Sequence, residues 1–141
     1  MNFKYNDGGR IEAGYKGTTG DCVCRAIAIV TGKPYREVYD SLINTASSFR
    51  QTKRVRGSHP RTGINRKIYE AYLKSLGFRW TATMSIGSGC KVHLKASELP
   101  QGKLIIRLSK HLTAVIDGVI NDTYDCSRDE TRCVYGYWHE T

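Results

Sequence analysis

The chain of 141 residues is predicted to be an α+β protein, helical in its first half and built of strands in its second. Two observations carry this. Apolar residues recur at helical spacing up to Leu76, whereas from Phe78 onward they fall in short runs of strand type. Asp117-Gly118 also stands between two apolar runs, among the strongest short signals for a β-hairpin.

Residues 1–20 are rich in Gly, Asn and Thr and read as a loop or short strand. Asp21 is placed to cap a helix over 22–31 that turns Val23, Ala26, Ile27 and Val30 to one side. Gly32 stops it, and Pro34 opens a second helix that buries Tyr35, Val38 and Leu42. A long polar loop is expected over 46–62, closed by His59-Pro60. Thr62 then starts a third helix, with Ile64, Ile68, Tyr72 and Leu76 as its apolar stripe and Gly77 as its stop. Strands are expected at 79–82, 90–94, 104–108, 111–116, 119–124 and 133–138, with one turn over 96–99 before Pro100.

The length suits a single domain over 1–141, large enough to bury roughly two-thirds of the surface that the unfolded chain exposes. With 40% hydrophobic residues the chain should be globular. It has no apolar run of the roughly 18 residues that a membrane span requires. The N-terminal Met-Asn-Phe-Lys-Tyr-Asn-Asp has no apolar signal core, so a cytoplasmic location without membrane contact is expected. The five cysteines, Cys22, Cys24, Cys90, Cys126 and Cys133, are odd in number and argue against a disulfide framework. They are expected to be free thiols, metal ligands, or one reactive thiol among inert ones.

The formal net charge of +9 is unevenly spread. No acidic residue lies between Asp40 and Glu70, and seven basic residues do: Arg50, Lys53, Arg54, Arg56, Arg61, Arg66 and Lys67. A basic loop over 50–67, with Lys53, Arg54, Arg56 and Arg61 as contact candidates, suits nucleic acid or an acidic protein partner. It equally suits the solvated face of a basic protein.

The hairpin register can be counted from its turn. A two-residue turn at Asp117-Gly118 sets Ile116 opposite Val119, Thr113 opposite Asp122 and His111 opposite Tyr124. With side chains alternating faces, His111, Thr113 and Val115 share a face with Tyr124, Asp122 and Ile120. His111 and Asp122 are then diagonal neighbours, and a slip by one residue would put Asn121 in place of Asp122. A histidine held by a carboxylate is suited to general-base work on a nearby nucleophile. Cys22, at the start of the first helix, is the candidate. Unpaired N–H groups and the helix dipole favour its thiolate, and its own N–H can face an oxyanion. Adjacent Asp21 would oppose the thiolate unless its side chain turns to the cap. Taken singly, such a cysteine is more often a small buried hydrophobe, and such a histidine or aspartate a structural or solvated residue.

The segments Gly20-Asp21-Cys22-Val23-Cys24-Arg25-Ala26-Ile27-Ala28, Thr31-Gly32-Lys33-Pro34-Tyr35 and Gly89-Cys90-Lys91-Val92-His93-Leu94 resemble a family of small papain-like proteins from phages, plasmids and bacteria. Glu98-Leu99-Pro100 and Arg132 to Trp138 extend the resemblance, which is strongest over His111 to Thr123 and covers nearly all of the chain from about Gly20. The wider fold is similar to the peptidase domains of bacteriocin exporters. Those place an Asp-Cys pair at a helix start, a His at the opening of a strand and an Asp at the close of the next. The resemblance implies a papain-like fold, with N-terminal helices carrying the cysteine and a C-terminal antiparallel sheet carrying His and Asp. It implies a phage-related thiol protease or hydrolase without a cofactor, cytoplasmic in the bacterial host if phage-encoded. Cys22 would be its nucleophile, His111 its base and Asp122 the orienter. Papain-like enzymes usually carry a Gln a few residues before the nucleophile as second oxyanion donor. Lys16 stands there in this chain, with Thr18 and Thr19 as the other candidates. Loss of such a donor costs about two to three decades in rate.

Two further patterns compete. Cys90-x-x-His93 with Cys126 and Cys133 is a loose arrangement for structural zinc, and buried strand cysteines are preferred to it. Tyr135, Tyr137 and Trp138 suit base stacking beside the basic loop, though terminal aromatics more often complete a core. The sequence therefore points to a cysteine peptidase, isopeptidase or amidase working through a thioester on a peptide or protein substrate. The alternative is a catalytically inactive papain-like fold, or a basic module that binds nucleic acid or an acidic partner.

Overall fold

The computed structural model describes residues 1–16, 20–50, 52–53 and 57–140. In chain order it contains β1 (Asn2–Tyr5), α1 (Cys22–Thr31), α2 (Tyr35–Ser47), α3 (Arg66–Ser75), β2 (Phe78–Ala82), β3 (Lys103–Leu108), β4 (His111–Ile116), β5 (Val119–Asp122) and β6 (Gly136–Glu140), with a 3-10 turn at Ala96–Glu98. This is the expected α+β class. The six strands form one sheet in the order β1-β5-β4-β3-β6-β2.

The sheet is mixed, which corrects the expected antiparallel arrangement. β1 runs parallel to β5, while the remaining neighbours are antiparallel. The N-terminal residues thus supply an edge strand whose four side chains are all exposed, so no alternation of burial marks it in the sequence.

Apolar side chains gather on both faces of the sheet. On one face Ile105, Leu112, Ala114 and Trp138 pack with the buried stripes of α1, α2 and α3. On the other, Leu104, Ile106, Val115 and Ile120 pack with Leu94, Leu99, Cys126 and Val134 from connecting segments. Both faces being covered, the alternation along β4 is apolar on either side, with residues 111–115 all buried.

α1 ends as expected. Gly32 takes the left-handed conformation at φ 73° and its N–H donates to the Ala28 carbonyl. α3 starts at Arg66, four residues later than Thr62, because the Asn65 side chain accepts from the Lys67 N–H and caps the helix there. The 90–94 segment is not a strand. Its backbone joins the 132–134 segment through the bridge of His93 with Cys133 and bonds from Leu94 to Arg132 and from Val134 to Val92. The last strand begins at Gly136 rather than Cys133, since it pairs with Phe78–Ala82 and Ile105–Arg107 beyond that point.

The same bridge brings Cys90 and Cys133 together as a disulfide, with Cα atoms 5.8 Å apart. The expectation of unpaired cysteines is corrected for these two, and Cys22, Cys24 and Cys126 are free. The candidate zinc grouping loses two of its thiols to this bond. Among the described residues no helix is long and apolar enough to cross a membrane.

Candidate active site

The β4–β5 hairpin follows the counted register. Asp117 and Gly118 have φ of 48° and 79°, the left-handed pair that a tight two-residue turn needs. Ile116 pairs with Val119, Val115 with Ile120 and Ala114 with Asn121. One step further the Thr113 hydroxyl donates to Asp122 Oδ2 at 2.7 Å, and His111 Nε2 lies 2.8 Å from the same oxygen. The His111 and Tyr124 rings lie 5.4 Å apart, as their opposed positions require.

His111 opens β4 and Asp122 closes β5, so both stand at one end of the sheet, where the N-terminus of α1 arrives. Asp122 holds Nε2 of the imidazole, which leaves Nδ1 for the Cys22 thiol that lines the same cleft as His111. Burial alone would push the Cys22 thiol up. The neighbouring His111 and its charge, the Leu112 backbone and the Arg25 charge outweigh it, and the thiol titrates below its ordinary value. Burial likewise opposes the charged forms of the other two. The bond to Asp122 and the nearby Cys126 and Cys22 thiols nonetheless raise His111, and bonds from His111, Thr113 and the Thr123 N–H lower Asp122. The arrangement favours a thiolate–imidazolium pair beside an ionised carboxylate.

Cys24, two residues along α1, takes the opposite course. Burial and the Asp21 charge push its thiol up to about 12. Cys126, 1% exposed, donates through its thiol to Asp122 Oδ2 at 3.7 Å. Ligand atoms of His111, Asp122 and Cys126 lie within 4.8 Å of one another and form a candidate three-ligand group. Asp122 Oδ2 already accepts from Thr113 and His111, and the Arg25 guanidinium stands 3.6 Å from Oδ1. A cation would have to displace those bonds and face that positive charge.

Asp21 does not cap α1, which corrects that expectation. It makes no side-chain cap bond, and its carboxylate, 0% exposed, turns to Arg10 at 3.2 Å, Arg25 at 3.4 Å, Arg61 at 3.7 Å and the Tyr35 hydroxyl at 2.8 Å. The arginines outcompete the cap because they bring charge into a buried place where a carboxylate must be paired. Arg25 is a site residue that sequence reasoning passed over. It reaches Asp21 with Nε, Asp122 with Nη2 and the Thr123 hydroxyl with Nη1 at 3.3 Å. Its signal was present, as the one charge within Cys22–Thr31, four residues after Asp21.

The remaining candidates fare differently. Lys16 is exposed and outside the residues that line the Cys22 cleft, although its carbonyl accepts from Arg61 at 2.8 Å. Thr18, Thr19, Arg54 and Arg56 lie outside the described residues. Lys53 is exposed. Arg61 is drawn into the fold. It is only 14% exposed and is engaged by Asp21, Tyr35, the Lys16 carbonyl and the face of Tyr15.

In comparisons with known proteins, no protein-family model, no curated protein and no solved structure matches the chain.

Proposed function

We propose that the protein is a papain-like cysteine hydrolase that cleaves peptide, isopeptide or related amide bonds through a thioester on Cys22. The observation that carries this reading is the imidazole of His111, bound by Asp122 at 2.8 Å and sharing its cleft with a thiol at a helix N-terminus.

In this mechanism the Cys22 thiolate attacks the scissile carbonyl carbon. The carbonyl π electrons move to oxygen, where the Cys22 N–H faces the developing charge. Collapse of that adduct breaks the carbon–nitrogen bond as His111 gives its Nδ1 proton to the departing amine. The neutral imidazole then takes a proton from water, whose oxygen attacks the thioester. The acid leaves, and the proton on His111 re-forms the ion pair with the Cys22 sulfur. Asp122, tied by Thr113 and the Thr123 N–H, holds the imidazole in the tautomer with Nε2 protonated.

Limiting iodoacetamide from about pH 5 to 9, with adducts counted at each cysteine by mass spectrometry, tests the reading. Cys22 should react well below the ordinary thiol range and lose that advantage in His111→Ala. Cys24 and Cys126 should stay unmodified while the protein is folded. Equal reaction at all three thiols, or a Cys22 rate indifferent to His111, refutes it.

A further inference from the structure

The cleft beside Cys22 does not end at the nucleophile. A cavity of about 490 Å³ lined by Cys22 and His111 shares Arg66, Arg107 and Tyr135 with a neighbouring one of about 670 Å³. The two make one groove that runs from the thiol, past the Arg107 end of β3, to Trp80, Met84 and Ile86. Among the described residues no aspartate or glutamate lines either part, while Arg66, Arg107 and Lys110 do.

These three cations are not equivalent. Arg66 is paired with Glu70 on its own helix and lies over the Trp80 ring at 5.5 Å. Lys110 is exposed in the turn before β4. Arg107 is half-buried at the junction of the two cavities, and its guanidinium stacks over Tyr135 at 5.7 Å. Among the described residues it has no carboxylate partner. A guanidinium held by an aromatic face, short of a counter-ion and partly withdrawn from water is suited to take a carboxylate with two parallel bonds. Beyond it the groove turns apolar, with half-buried Trp80 and Met84 and fully exposed Ile86. The Trp80 ring fills the space over Gly136, where an added Cβ would clash with it, so its place in the groove is fixed by packing.

We infer that this groove is the substrate-recognition subsite and that its occupant is an acidic peptide. Arg107 takes a glutamate or aspartate side chain close to the scissile bond, and Trp80, Met84 and Ile86 take an apolar side chain beyond it. The inference rests on the hydrolase reading of Cys22 and goes beyond it by naming the substrate class.

The test uses peptidyl chloromethyl ketones, from which the thiolate displaces chloride to form a thioether. Each reagent in the set carries Glu, or in a matched partner Gln, at one of the residues nearest the reactive carbon, with Leu beyond. At one of these positions the Glu reagent should label Cys22 about tenfold faster than its Gln partner, the effect of one charge-assisted pair. That ratio should shrink with added salt and fall close to one in Arg107→Gln, with Arg107→Lys retaining part of it. Equal rates for Glu and Gln at every position, or a preference that survives in Arg107→Gln, overturn the subsite. Iodoacetamide on the native protein separates the two claims. Selective labelling of Cys22 without a Glu preference removes the subsite alone, and failure to label Cys22 selectively removes both.

Discussion

The N-termini of α1 and α3 meet the same physical demand in opposite ways. α3 is closed by Asn65, whose side-chain oxygen accepts from the Lys67 N–H at 2.9 Å. α1 has an aspartate at the same position, yet its carboxylate faces three arginines and a tyrosine and leaves the first turn without a side-chain cap. The difference lies in the first residue of each helix. Arg66 begins an amphipathic surface helix, whereas Cys22 begins a helix whose first residues, with their unpaired N–H groups, line a cleft. A side-chain cap at α1 would compete with the thiolate for those donors. With Asp21 withdrawn and neutralised by arginine, the dipole of α1 acts on Cys22 nearly unopposed.

The comparison breaks most visibly at Asp21. Asp21→Ala strands Arg10 as a buried charge and leaves Arg25 with Asp122 alone, and urea unfolding should show a loss of roughly 3–5 kcal/mol. A loss of only about 1 kcal/mol would instead mark Asp21 as an ordinary cap.

Asp122→Asn is the next in size and separates the site from the scaffold. Asp122 titrates below the ordinary carboxyl value of 3.8, so its stabilisation is present above that pH and drains as pH falls through its lower folded value. His111 runs the other way. It is raised above 6.5, so its contribution is complete below that pH and is lost only as pH rises through the folded value. The variant should therefore lose about 1–3 kcal/mol at pH 6, and its difference from the parent protein should narrow as pH falls below 3.8, as followed by denaturant midpoints across pH. Iodoacetamide labelling of Cys22 at pH 6 should fall with it. A stability difference that persists unchanged at pH 3 would contradict the ionised pair.

Asn65→Ala gives the smallest effect and sharpens the contrast. It should cost about 1 kcal/mol in urea unfolding, as a plain cap does, and leave the pH profile of Cys22 labelling where it was. A shift of that profile would show the two helix ends to be coupled.

Particular residues show why the candidate site was partly legible. The relation of His111, Thr113 and Asp122 could be counted because a two-residue turn and a period of two leave the register no freedom. The mixed sheet could not be counted, since the exposed β1 carries no alternation and finds β5 across more than a hundred residues of chain. Arg25 was visible as an isolated charge in an apolar helix, but its partner Thr123 lies 98 residues away.

What the sequence by itself determined is local: the α+β order, the span of α1 to its glycine stop, the Asp-Gly hairpin and the face that His111 shares with Asp122. These depend on backbone preference and periodicity within a few residues. Only the tertiary structure decided where the Asp21 carboxylate turns, that Cys90 and Cys133 pair, that Arg61 faces inward, and that the cleft at Cys22 continues past Arg107 to Trp80. Those outcomes depend on which distant segments bring charge, sulfur or an aromatic ring to the same place, and for the Asp21 carboxylate burial makes the pairing obligatory.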